Sequence, residues 1–277
     1  AVFEDLEVKK SVFSSLAATC RPDTLLATNT SSFRVGDLAE SCAQPERLLG
    51  LHYFYHPAMN RLVEVVGHAG TDPSALEAAW AAQEAIGKTP IHSADAPGFV
   101  VNRYFVPWLN EAVRLVEEGV ADIPSVDAAA RDFFGIGMGP FHLMNVTGVP
   151  IAFHAATSLG EAIHPFYAPA ETLRQQVEVE GVDWNLEGNP DPSVFTAVND
   201  RLLGVVAHVA AELVDEGVAS VEDCDIGARV GLRWAKGPFQ MVNEAGVESC
   251  AKLARQALAT YGLAPPALLQ CPGPTGI

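Results

Sequence analysis

An internal repeat in the second half of the chain restricts the possible folds more than any other feature of the sequence. Residues 117–121 read EEGVA and residues 215–219 read DEGVA, and the tripeptide Gly-Pro-Phe occurs at 139–141 and again at 237–239. Both pairs are separated by the same 98 residues. A repeat at a fixed offset is typical of a duplicated supersecondary unit, because each copy folds from the same local pattern. The sequence therefore predicts two copies of one unit.

Each copy has the pattern of a helical unit. A long apolar helix is predicted over residues 99–118 in the first copy and over 195–216 in the second, and a glycine follows each helix. Two or three shorter helices come after it in each copy. The polar segment 167–192 contains Asn-Pro-Asp-Pro and is predicted to be an extended connection. We therefore expect one helical domain over residues 96–192, including the connection, and a second over 193–277.

The first part of the chain alternates between helix and strand patterns. Apolar spacing predicts an amphipathic helix over residues 5–18, and a second helix is predicted over 73–86 with Asp72 as its N-cap. Asp95-Ala96-Pro97-Gly98 interrupts this alternation and marks the predicted domain boundary. The fold class is therefore α/β over residues 1–95, followed by all-α. Short buried strands are predicted over residues 25–27, 48–54, 62–66 and 90–93.

The charge balance limits the partners of this chain. Its 277 residues carry a formal net charge of −17, so neither a nucleic acid nor an anionic membrane surface is expected to bind it. The five cysteines never form a Cys-x-x-Cys pair, which argues against a metal site and against a disulfide framework. No apolar run approaches the roughly 18 residues that would span a bilayer. This composition fits a reducing compartment, either the cytoplasm or an organelle matrix.

A histidine and a carboxylate lie on two adjacent predicted strands. His52 is in the first of them and Glu64 in the second, where Glu64 shares a face with apolar Leu62 and Val66. A partly buried carboxylate needs a partner, and His52 is the natural one. Such a pair suits general-base catalysis, because imidazole titrates near neutral pH and the carboxylate fixes its tautomer. The alternative is that His52 is a hydrogen-bonded core histidine among aromatic residues.

A polar cluster follows the first predicted strand. Residues 28–32 read TNTSS and stand at the carboxyl end of that strand, where open α/β sheets bind ligands. The alternative is a plain loop in which Ser31 or Ser32 caps a short helix over residues 35–39.

A glycine-rich stretch in the first helical copy resembles a phosphate-binding loop. Residues 135–139 read GIGMG, but they follow a helix pattern, whereas a dinucleotide-binding loop follows a strand. Their counterpart, residues 233–237, reads RWAKG and keeps only the last glycine. We therefore predict a turn that packs helices together. Three tryptophans in this half are also predicted to be packing residues: Trp108, Trp184 and Trp234.

Five short motifs are spread over the first hundred residues or so. They are EDLEVK at 4–9, NTSS at 29–32, GLHYF at 50–54, RLVEV at 61–65 and PGFVVNR at 97–103. In this order and spacing they resemble the L-3-hydroxyacyl-CoA dehydrogenase family. The resemblance implies a Rossmann-type NAD-binding domain followed by a helical domain. It also implies oxidation of the 3-hydroxyl group of acyl-CoA thioesters with NAD, in fatty-acid β-oxidation.

The resemblance also implies roles for individual residues. His52 corresponds to the catalytic base, and Glu64 corresponds to the carboxylate that orients it. Ser31 corresponds to a residue that contacts both substrate and cofactor, and Asn102 to an active-site amide that binds the substrate. Hydrogen bonds from Ser31 and Asn102 to substrate oxygens would suit this chemistry.

On the cofactor side, Glu4 and Lys9 correspond to positions near the nicotinamide-ribose end of NAD. The tandem helical unit is similar to the arrangement in larger or fused members of the family. In those members the second copy stands in for a dimer partner. The resemblance therefore implies an acyl-CoA thioester as substrate and either a homodimer or a pseudo-dimer within one chain.

Two departures from the family pattern shape these expectations. Family members usually have Asn-Pro after the His-x-Phe triplet, and Tyr55-His56 stands there, so no cofactor contact is carried over to Tyr55. The strand, Gly-x-Gly-x-x-Gly turn and helix that open the family's cofactor domain are absent from these 277 residues. The chain also begins without a signal-peptide pattern or an initiator Met. We therefore expect a partial Rossmann-type domain within a larger protein.

Two functions are compatible with these observations. The first is an NAD-dependent dehydrogenase whose catalytic residues lie in this chain, which by itself would bind NAD poorly and turn over slowly. The second is a non-catalytic acyl-CoA-binding or assembly module with a vestigial site, in which the helical repeat mediates association. The unpaired sheet edge expected of a partial domain would favour aggregation unless a partner covers it.

Overall fold

The computed structural model describes residue 2, residues 4–178 and 183–270, and residue 277. Within the first hundred residues, helices and strands alternate, and each predicted element is present with bounds that differ by at most one residue. The helices are α1 (Leu6–Thr19), α2 (Val35–Ala39) and α3 (Pro73–Ala85), and the strands are β1 (Leu26–Thr28), β2 (Leu48–Tyr53), β3 (Leu62–Gly67) and β4 (Thr89–Ala94).

From Val101 onwards, the regular structure of the described residues is helical. This confirms the predicted fold class, an α/β domain of Rossmann type followed by a tandem helical part. The helices are α4 (Val101–Glu117), α5 (Ile123–Phe134), α6 (Pro140–Thr147), α7 (Val149–Ala162), α8 (Glu171–Glu178), α9 (Phe195–Asp215), α10 (Val221–Ile226), α11 (Pro238–Ala245), α12 (Val247–Ala257) and α13 (Ala267–Gln270), and a π-helical turn, Gly227–Gly231, follows α10.

The four strands form one mixed sheet in the order β1-β2-β3-β4. β1 is parallel to β2 and β3 is parallel to β4, whereas β2 and β3 are antiparallel. Successive residues of a strand face opposite sides, so Leu48 packs in the cluster with α1 and α2, and Leu49 packs in the cluster with α3. Helices therefore cover both faces of the sheet, and side chains on its central strands are shielded from water.

The chain forms two compact units. The first comprises Ala1–Val100 and Gly217–Leu232, and the second comprises Val101–Glu216 and Arg233–Ile277. A segment of the second helical copy is therefore packed with the α/β part of the chain. The predicted domain bounds after residues 95 and 192 follow the sequence repeat, whereas the two compact units follow packing. The predicted bounds therefore stay a prediction about the repeat units.

Three shorter helices of each copy begin at equivalent positions. The helices α5, α6 and α7 begin 98 residues before α10, α11 and α12, at the pairs Ile123 and Val221, Pro140 and Pro238, and Val149 and Val247. The glycines after the two long helices also match, because Gly119 and Gly217 both have a φ of +68°. These correspondences confirm the predicted duplication.

Two matching ion pairs join the long helices α4 and α9 within the second unit. Arg103 at the start of α4 lies 3.0 Å from Glu216 just after α9. Its repeat counterpart, Arg201, lies 3.0 Å from Glu118 just after α4. Reciprocal contacts of this kind are typical of an isologous interface. The long helices of the two copies therefore contact each other through equivalent positions of the repeat.

The segment predicted to be an extended connection contains a helix, α8, and residues 179–182 of that segment lie outside the described residues. In α8, Arg174 pairs with Glu171 three residues earlier and with Glu178 four residues later. Leu173 is buried on the opposite side. The prediction is wrong over α8, because ion pairs one turn apart stabilise a helix whose polar composition is typical of a loop.

One helix in the described part of the chain, Pro192–Asp215, is long and apolar enough to cross a membrane by length and composition. More than half of its apolar window is buried inside the structure. Its neighbours within the second unit include α4 and α12. Helices in the cores of soluble proteins can be equally long and apolar. We therefore assign this helix to the core of the helical unit.

The glycine-rich stretch of the first copy is a turn between α5 and α6. Gly135 has a φ of +65°, and a Cβ at this position would lie 2.5 Å from the Cβ of Ala235. Asp127 of α5 binds the first turn of α6. Its carboxylate accepts hydrogen bonds from the amides of Phe141 at 2.8 Å and His142 at 3.0 Å. Two of the first amides of α6 are therefore already bound. This confirms the predicted role as a turn that packs helices.

The three tryptophans pack in the second unit, as predicted. Trp108, Trp184 and Trp234 are each at most 6% exposed. The rings of Trp108 and Trp234 lie 5.5 Å apart, and both contact Phe134. Aromatic pairs of this kind contribute through burial and ring geometry rather than through a ligand.

Candidate active site

The predicted contact between His52 and Glu64 is present on the two central strands of the sheet. The two residues lie directly opposite each other in the antiparallel pair of β2 and β3. His52 Nδ1 is 2.5 Å from Glu64 Oε2. The side chain of His52 is 7% exposed and that of Glu64 is 0% exposed. Burial strengthens this hydrogen bond, because little water competes for the carboxylate.

The second oxygen of the Glu64 carboxylate is also bound. Val100 N donates a hydrogen bond to Glu64 Oε1 at 3.1 Å. The segment before Val100 turns sharply, with Gly98 at a φ of +75° and Phe99 at a φ of +47°. The rings of Phe54 and Phe99 lie 4.7 and 5.7 Å from the imidazole ring of His52. Backbone and aromatic rings together hold the pair in one orientation.

The outer ring nitrogen of His52 has no partner among the described residues. A carboxylate on Nδ1 keeps the proton on that nitrogen, which leaves a lone pair on Nε2. When Nε2 takes up a proton, the buried carboxylate of Glu64 stabilises the imidazolium that forms. The pair can therefore act as a general base.

Ser31 lies in the loop that follows β1, at the carboxyl end of that strand. Its side chain is exposed, and no described residue hydrogen-bonds to its hydroxyl group. The loop is fastened to β2, because Tyr53 N donates a hydrogen bond to Asn29 Oδ1 at 2.8 Å. Tyr53 directly follows His52 in β2. The hydroxyl group of Ser31 is therefore free to contact a ligand at this end of the sheet.

Thr30, which sequence reasoning missed, connects this loop to the start of the chain. Its buried hydroxyl group donates a hydrogen bond to Glu4 Oε1, and Lys9 Nζ lies 3.0 Å from Glu4 Oε2. The same hydroxyl oxygen accepts a hydrogen bond from Phe33 N at 3.1 Å. The available sequence signal is a threonine just after a strand, because its hydroxyl oxygen can accept a hydrogen bond from the amide two residues on, here Ser32 N at 3.3 Å, and close an ST turn. Glu4 and Lys9 are thereby brought next to the loop of Ser31.

Asp95, directly after β4, caps α2. Its two carboxylate oxygens accept hydrogen bonds from Val35 N and Gly36 N, both at 2.7 Å. The alternative in which Ser31 or Ser32 caps α2 is wrong, because the acceptor comes from a residue about 60 positions along the chain. The loop is therefore held at both ends, while no described residue binds the hydroxyl group of Ser31.

Asn102 belongs to the second compact unit, where it lies on the first turn of α4. Its side chain is half-buried, and its amide makes no hydrogen bond to any described residue. In sequence it directly follows the segment whose Val100 binds Glu64. The amide is therefore available to a ligand.

The loop between β2 and β3 carries the departure from the family pattern. Tyr55 is 77% exposed, and its carbonyl oxygen accepts a hydrogen bond from Asn60 Nδ2 at 3.3 Å. Lys88 Nζ donates to the carbonyl oxygen of Asn60 at 2.7 Å and lies 5.4 Å from the ring centroid of Tyr53. Partly buried polar contacts therefore hold this loop, and the ring of Tyr55 faces solvent.

The polar residues at the Ser31 loop fit the cofactor that the resemblance implies. The hydroxyl group of Ser31, which no described residue binds, can donate or accept. Each carboxylate oxygen of Glu4 keeps a further lone pair beyond its bond to Thr30 or Lys9. Acceptors of this kind suit the hydroxyl groups of a ribose. The donor and acceptor set therefore fits the nicotinamide-ribose end of NAD.

Two family models match the chain. The model for the 3-hydroxyacyl-CoA dehydrogenase NAD binding domain matches residues 1–96. The model for the 3-hydroxyacyl-CoA dehydrogenase C-terminal domain matches residues 98–182 and 198–271. The second model alone covers more than half of the chain, in two ranges that agree with the two helical copies.

Similar proteins include the fatty acid oxidation complex subunit alpha of Shewanella sp. (strain MR-4), which is 31% identical over 295 residues. The alignment covers 95% of this chain and 41% of that protein, so the chain spans less than half the length of this relative.

Two solved structures show the same architecture. The 3-hydroxybutyryl-CoA dehydrogenase from Escherichia coli K12 has a TM-score of 0.87 at 24% identity, over 97% of this chain and 79% of that one. The (S)-3-hydroxybutyryl-CoA dehydrogenase PaaH1 from Ralstonia eutropha has a TM-score of 0.63 at 28% identity, over 64% of this chain and 63% of that one. At 24% identity, the similarity to the first of these structures is a similarity of fold alone.

Proposed function

Because the chain belongs to the 3-hydroxyacyl-CoA dehydrogenase family, we propose that it oxidises L-3-hydroxyacyl-CoA thioesters to 3-oxoacyl-CoA, with NAD as cofactor, in fatty-acid β-oxidation. The observation that carries this proposal is the buried pair of His52 and Glu64. Glu64 fixes the imidazole ring of His52 through Nδ1, whereas Nε2 has no partner among the described residues and can receive a substrate proton. This disfavours the alternative of a purely structural histidine.

In this proposal, His52 is the general base. Its Nε2 takes the proton of the substrate's 3-hydroxyl group as the C3–H bond breaks and the carbonyl bond forms. When bound, NAD supplies the electrophilic nicotinamide carbon that accepts the hydride from C3. Glu64 holds the proton on Nδ1 and stabilises the imidazolium, which then returns its extra proton to solvent.

Two further residues position the reactants. We assign the Ser31 hydroxyl group to contacts with both substrate and cofactor, and the Asn102 amide to a substrate oxygen. Both groups are polar, accessible and unbound by described residues, which supports this assignment. Glu4 and Lys9 are assigned to the cofactor side, because Thr30 links their ion pair to the Ser31 loop.

The helical repeat is assigned to a pseudo-dimer within one chain. The reciprocal pairs of Arg103 with Glu216 and of Arg201 with Glu118 support this, because a two-fold dimer interface repeats each contact. A homodimer is the alternative that the family resemblance leaves open.

A reducing compartment, the cytoplasm or an organelle matrix, is proposed for the reaction. Reducing compartments keep thiols unpaired. No disulfide joins the cysteines in the described part of the chain, namely Cys20, Cys42, Cys224 and Cys250.

Amide substitutions at the pair test the proposed function. In the full-length protein, His52→Gln and Glu64→Gln should each lower kcat for acetoacetyl-CoA reduction by NADH by about 10²- to 10⁴-fold, with much smaller changes in KM. The reason is that each removes proton handling from the transition state and leaves the thioester contacts in place. His154→Gln, at an exposed histidine of the helical part, is the matched control and should leave kcat unchanged.

Full kcat in both variants would remove the pair from the chemistry. A wild-type protein that binds acyl-CoA thioesters without turnover would favour the non-catalytic binding module instead. Unchanged thermal unfolding of the variants ensures that a loss of kcat does not reflect a loss of fold.

A further inference from the structure

Residues 217–232 belong to the second helical copy but pack in the first unit, along the outer side of β4. β4 is the last strand of the sheet among the described residues, so no described strand pairs with its outward amides. Two of them are nevertheless bound. Ala94 N donates a hydrogen bond to the Val218 carbonyl oxygen at 2.8 Å, and His92 N donates to Asp223 Oδ1 at 3.3 Å. The segment therefore closes this edge of the sheet.

The same segment also reaches β3, the strand that carries Glu64. Asn60, two residues before β3, donates from Nδ2 to the Gly231 carbonyl oxygen at 2.8 Å. The backbone of Gly231 lies so close to β3 that a Cβ there would stand 2.4 Å from Leu62 Cδ2. Between these anchors, Cys224 is fully buried, and burial raises the pKa of its thiol, with nearby carboxylates that include Glu64 adding to the rise.

The second copy differs from the first at the positions where it meets the sheet. Asp223 stands where the first copy has Ser125, and Gly231 stands where it has Phe133. A phenylalanine at position 231 would collide with Leu62, and a serine at position 223 is one bond too short to replace the carboxylate. The helix differs as well, because α5 is unbroken, whereas α10 gives way to the π-helical turn. Such turns occur frequently at functional sites.

We propose that residues 217–232 are a positioning element of the active site, which closes the β4 edge and fixes β3 so that Glu64 keeps its contact with His52. The proposal rests on the proposed function of that pair. β3 lies between β2 and β4, so fraying of β4 loosens one of its two ladders. The 2.5 Å contact between Nδ1 and the carboxylate depends on the register of β3 with β2. The second helical copy then contributes to catalysis as well as to association.

A matched pair of glycine substitutions in the full-length protein tests this. Gly231→Ala places a methyl group against Leu62 and should lower kcat by about 10-fold or more, with KM changed by less than about 3-fold, because misplacement of the pair affects the transition state. Gly137→Ala is the control, since a Cβ at that position meets nothing within 4 Å. The downfield proton resonance of His52 Nδ1–H should shift or broaden in Gly231→Ala and stay unchanged in Gly137→Ala.

A second pair of variants addresses the sheet edge. Asp223→Ala removes the acceptor of the His92 amide. Hydrogen exchange of this amide should become at least about 10-fold faster, and kcat should be lower. Asp223→Asn keeps an Oδ1 acceptor and should restore slow exchange and most of kcat. A merely structural role would not produce this rescue together with a selective loss of kcat.

The measurements separate this inference from the proposed function. An inactive wild-type protein whose His52 proton resonance still responds to Gly231→Ala would refute the dehydrogenase function and keep the positioning role. An active wild-type protein whose kcat and His52 resonance are unchanged in both Gly231→Ala and Asp223→Ala would refute the positioning role. Unchanged exchange of the His92 amide in Asp223→Ala would also refute it.

Discussion

Gly135 and Arg233 stand at the same position of the repeat, and both have a left-handed backbone, with φ of +65° and +59°. A residue with a side chain is less stable in this conformation than glycine by about 1 kcal/mol or more. The duplication therefore keeps the backbone turn even where the residue that suits it best has been replaced. Arg233 carries strain that Gly135 avoids.

Exchanging these residue types should have opposite effects on stability. We expect Arg233→Gly to raise the free energy of unfolding by about 1 kcal/mol, because it removes the backbone strain. Gly135→Ala should lower it by about 2 kcal/mol or more, because it adds both strain and a collision with Ala235. Urea denaturation measures both changes. Equal stability of Arg233→Gly and the wild type would show that this backbone strain is relieved elsewhere.

The scale of single residues also explains how the Ser31 loop is held. Thr30 ties it to Glu4, and Asp95 binds the first amides of α2. Ser31 itself makes no hydrogen bond with the described residues, so its hydroxyl group is not consumed by the fold. The polar groups that hold this short loop and the hydroxyl group proposed to contact substrate and cofactor are therefore on different residues.

At the scale of elements, α4 and α9 are joined by two copies of one ion pair that differ in burial. The side chain of Arg103 is 2% exposed, whereas that of Arg201 is 24% exposed. Arg103 Nε also donates to the hydroxyl group of Tyr167 at 3.1 Å, and burial raises the pKa of that tyrosine. Tyr167 therefore stays protonated and donates in turn to Glu212 at 2.5 Å.

Removing the two arginines should have unequal effects. Arg103→Met should lower the free energy of unfolding by about 3 kcal/mol, because it leaves carboxylates without their buried partner. Arg201→Met should lower it by about 1 kcal/mol, since water reaches this pair and Glu111 keeps its bond to Arg114. Guanidinium denaturation measures both, with Arg174→Met in the exposed pairs of α8 as a control that should change little. A larger effect for Arg201→Met than for Arg103→Met would contradict this ranking.

At the scale of the whole molecule, His208 links stability to pH. It is 3% exposed in α9, and no described residue binds its Nδ1. Burial lowers the pKa of His208 below its ordinary value of 6.5, and the Glu212 carboxylate opposes this shift. The unfolded chain therefore takes up a proton at pH values at which the folded chain does not. Stability from this group is complete above about pH 6.5 and decreases as the pH falls below it.

Removing the titrating group tests this dependence. His208→Asn introduces the residue found at the equivalent position of the first copy, Asn110. Below about pH 6.5, the free energy of unfolding of the wild type should decrease relative to this variant by up to about 1.4 kcal/mol per pH unit. Urea denaturation at several pH values between 5 and 8 measures the difference. Parallel curves for the two proteins would show that His208 titrates alike in the folded and unfolded states.

Local chemistry explains why so much of the fold follows from the sequence. The ends of α3 depend on Asp72, which accepts a hydrogen bond from Ser74, and on Gly87 with its φ of +80°. Both interactions involve residues within a turn of the helix end. The contact of His52 with Glu64 follows from strand pairing, because two short antiparallel strands joined by one loop have few possible registers.

Other features depend on residues that are far apart in the chain. Asp95 caps a helix about 60 positions earlier, and Thr30 binds Glu4 across the end of the sheet. No local pattern specifies either partner, because the distance between them is set only when the sheet has formed. The α8 helix was not predicted for a different reason. Its polar composition is typical of a loop, and the ion pairs that stabilise the helix form only when the helix is present.

The amino-acid sequence is enough to predict the order of helices and strands, the duplicated helical unit, the family resemblance and the pairing of His52 with Glu64. These depend on spacing and on short-range hydrogen bonds, which the unfolded chain already encodes. Only the tertiary structure shows that residues 217–232 pack with the sheet. There Asp223 contacts β4 and Gly231 contacts β3. The physical reason is that an edge amide and a close backbone approach acquire partners only after distant segments have packed together.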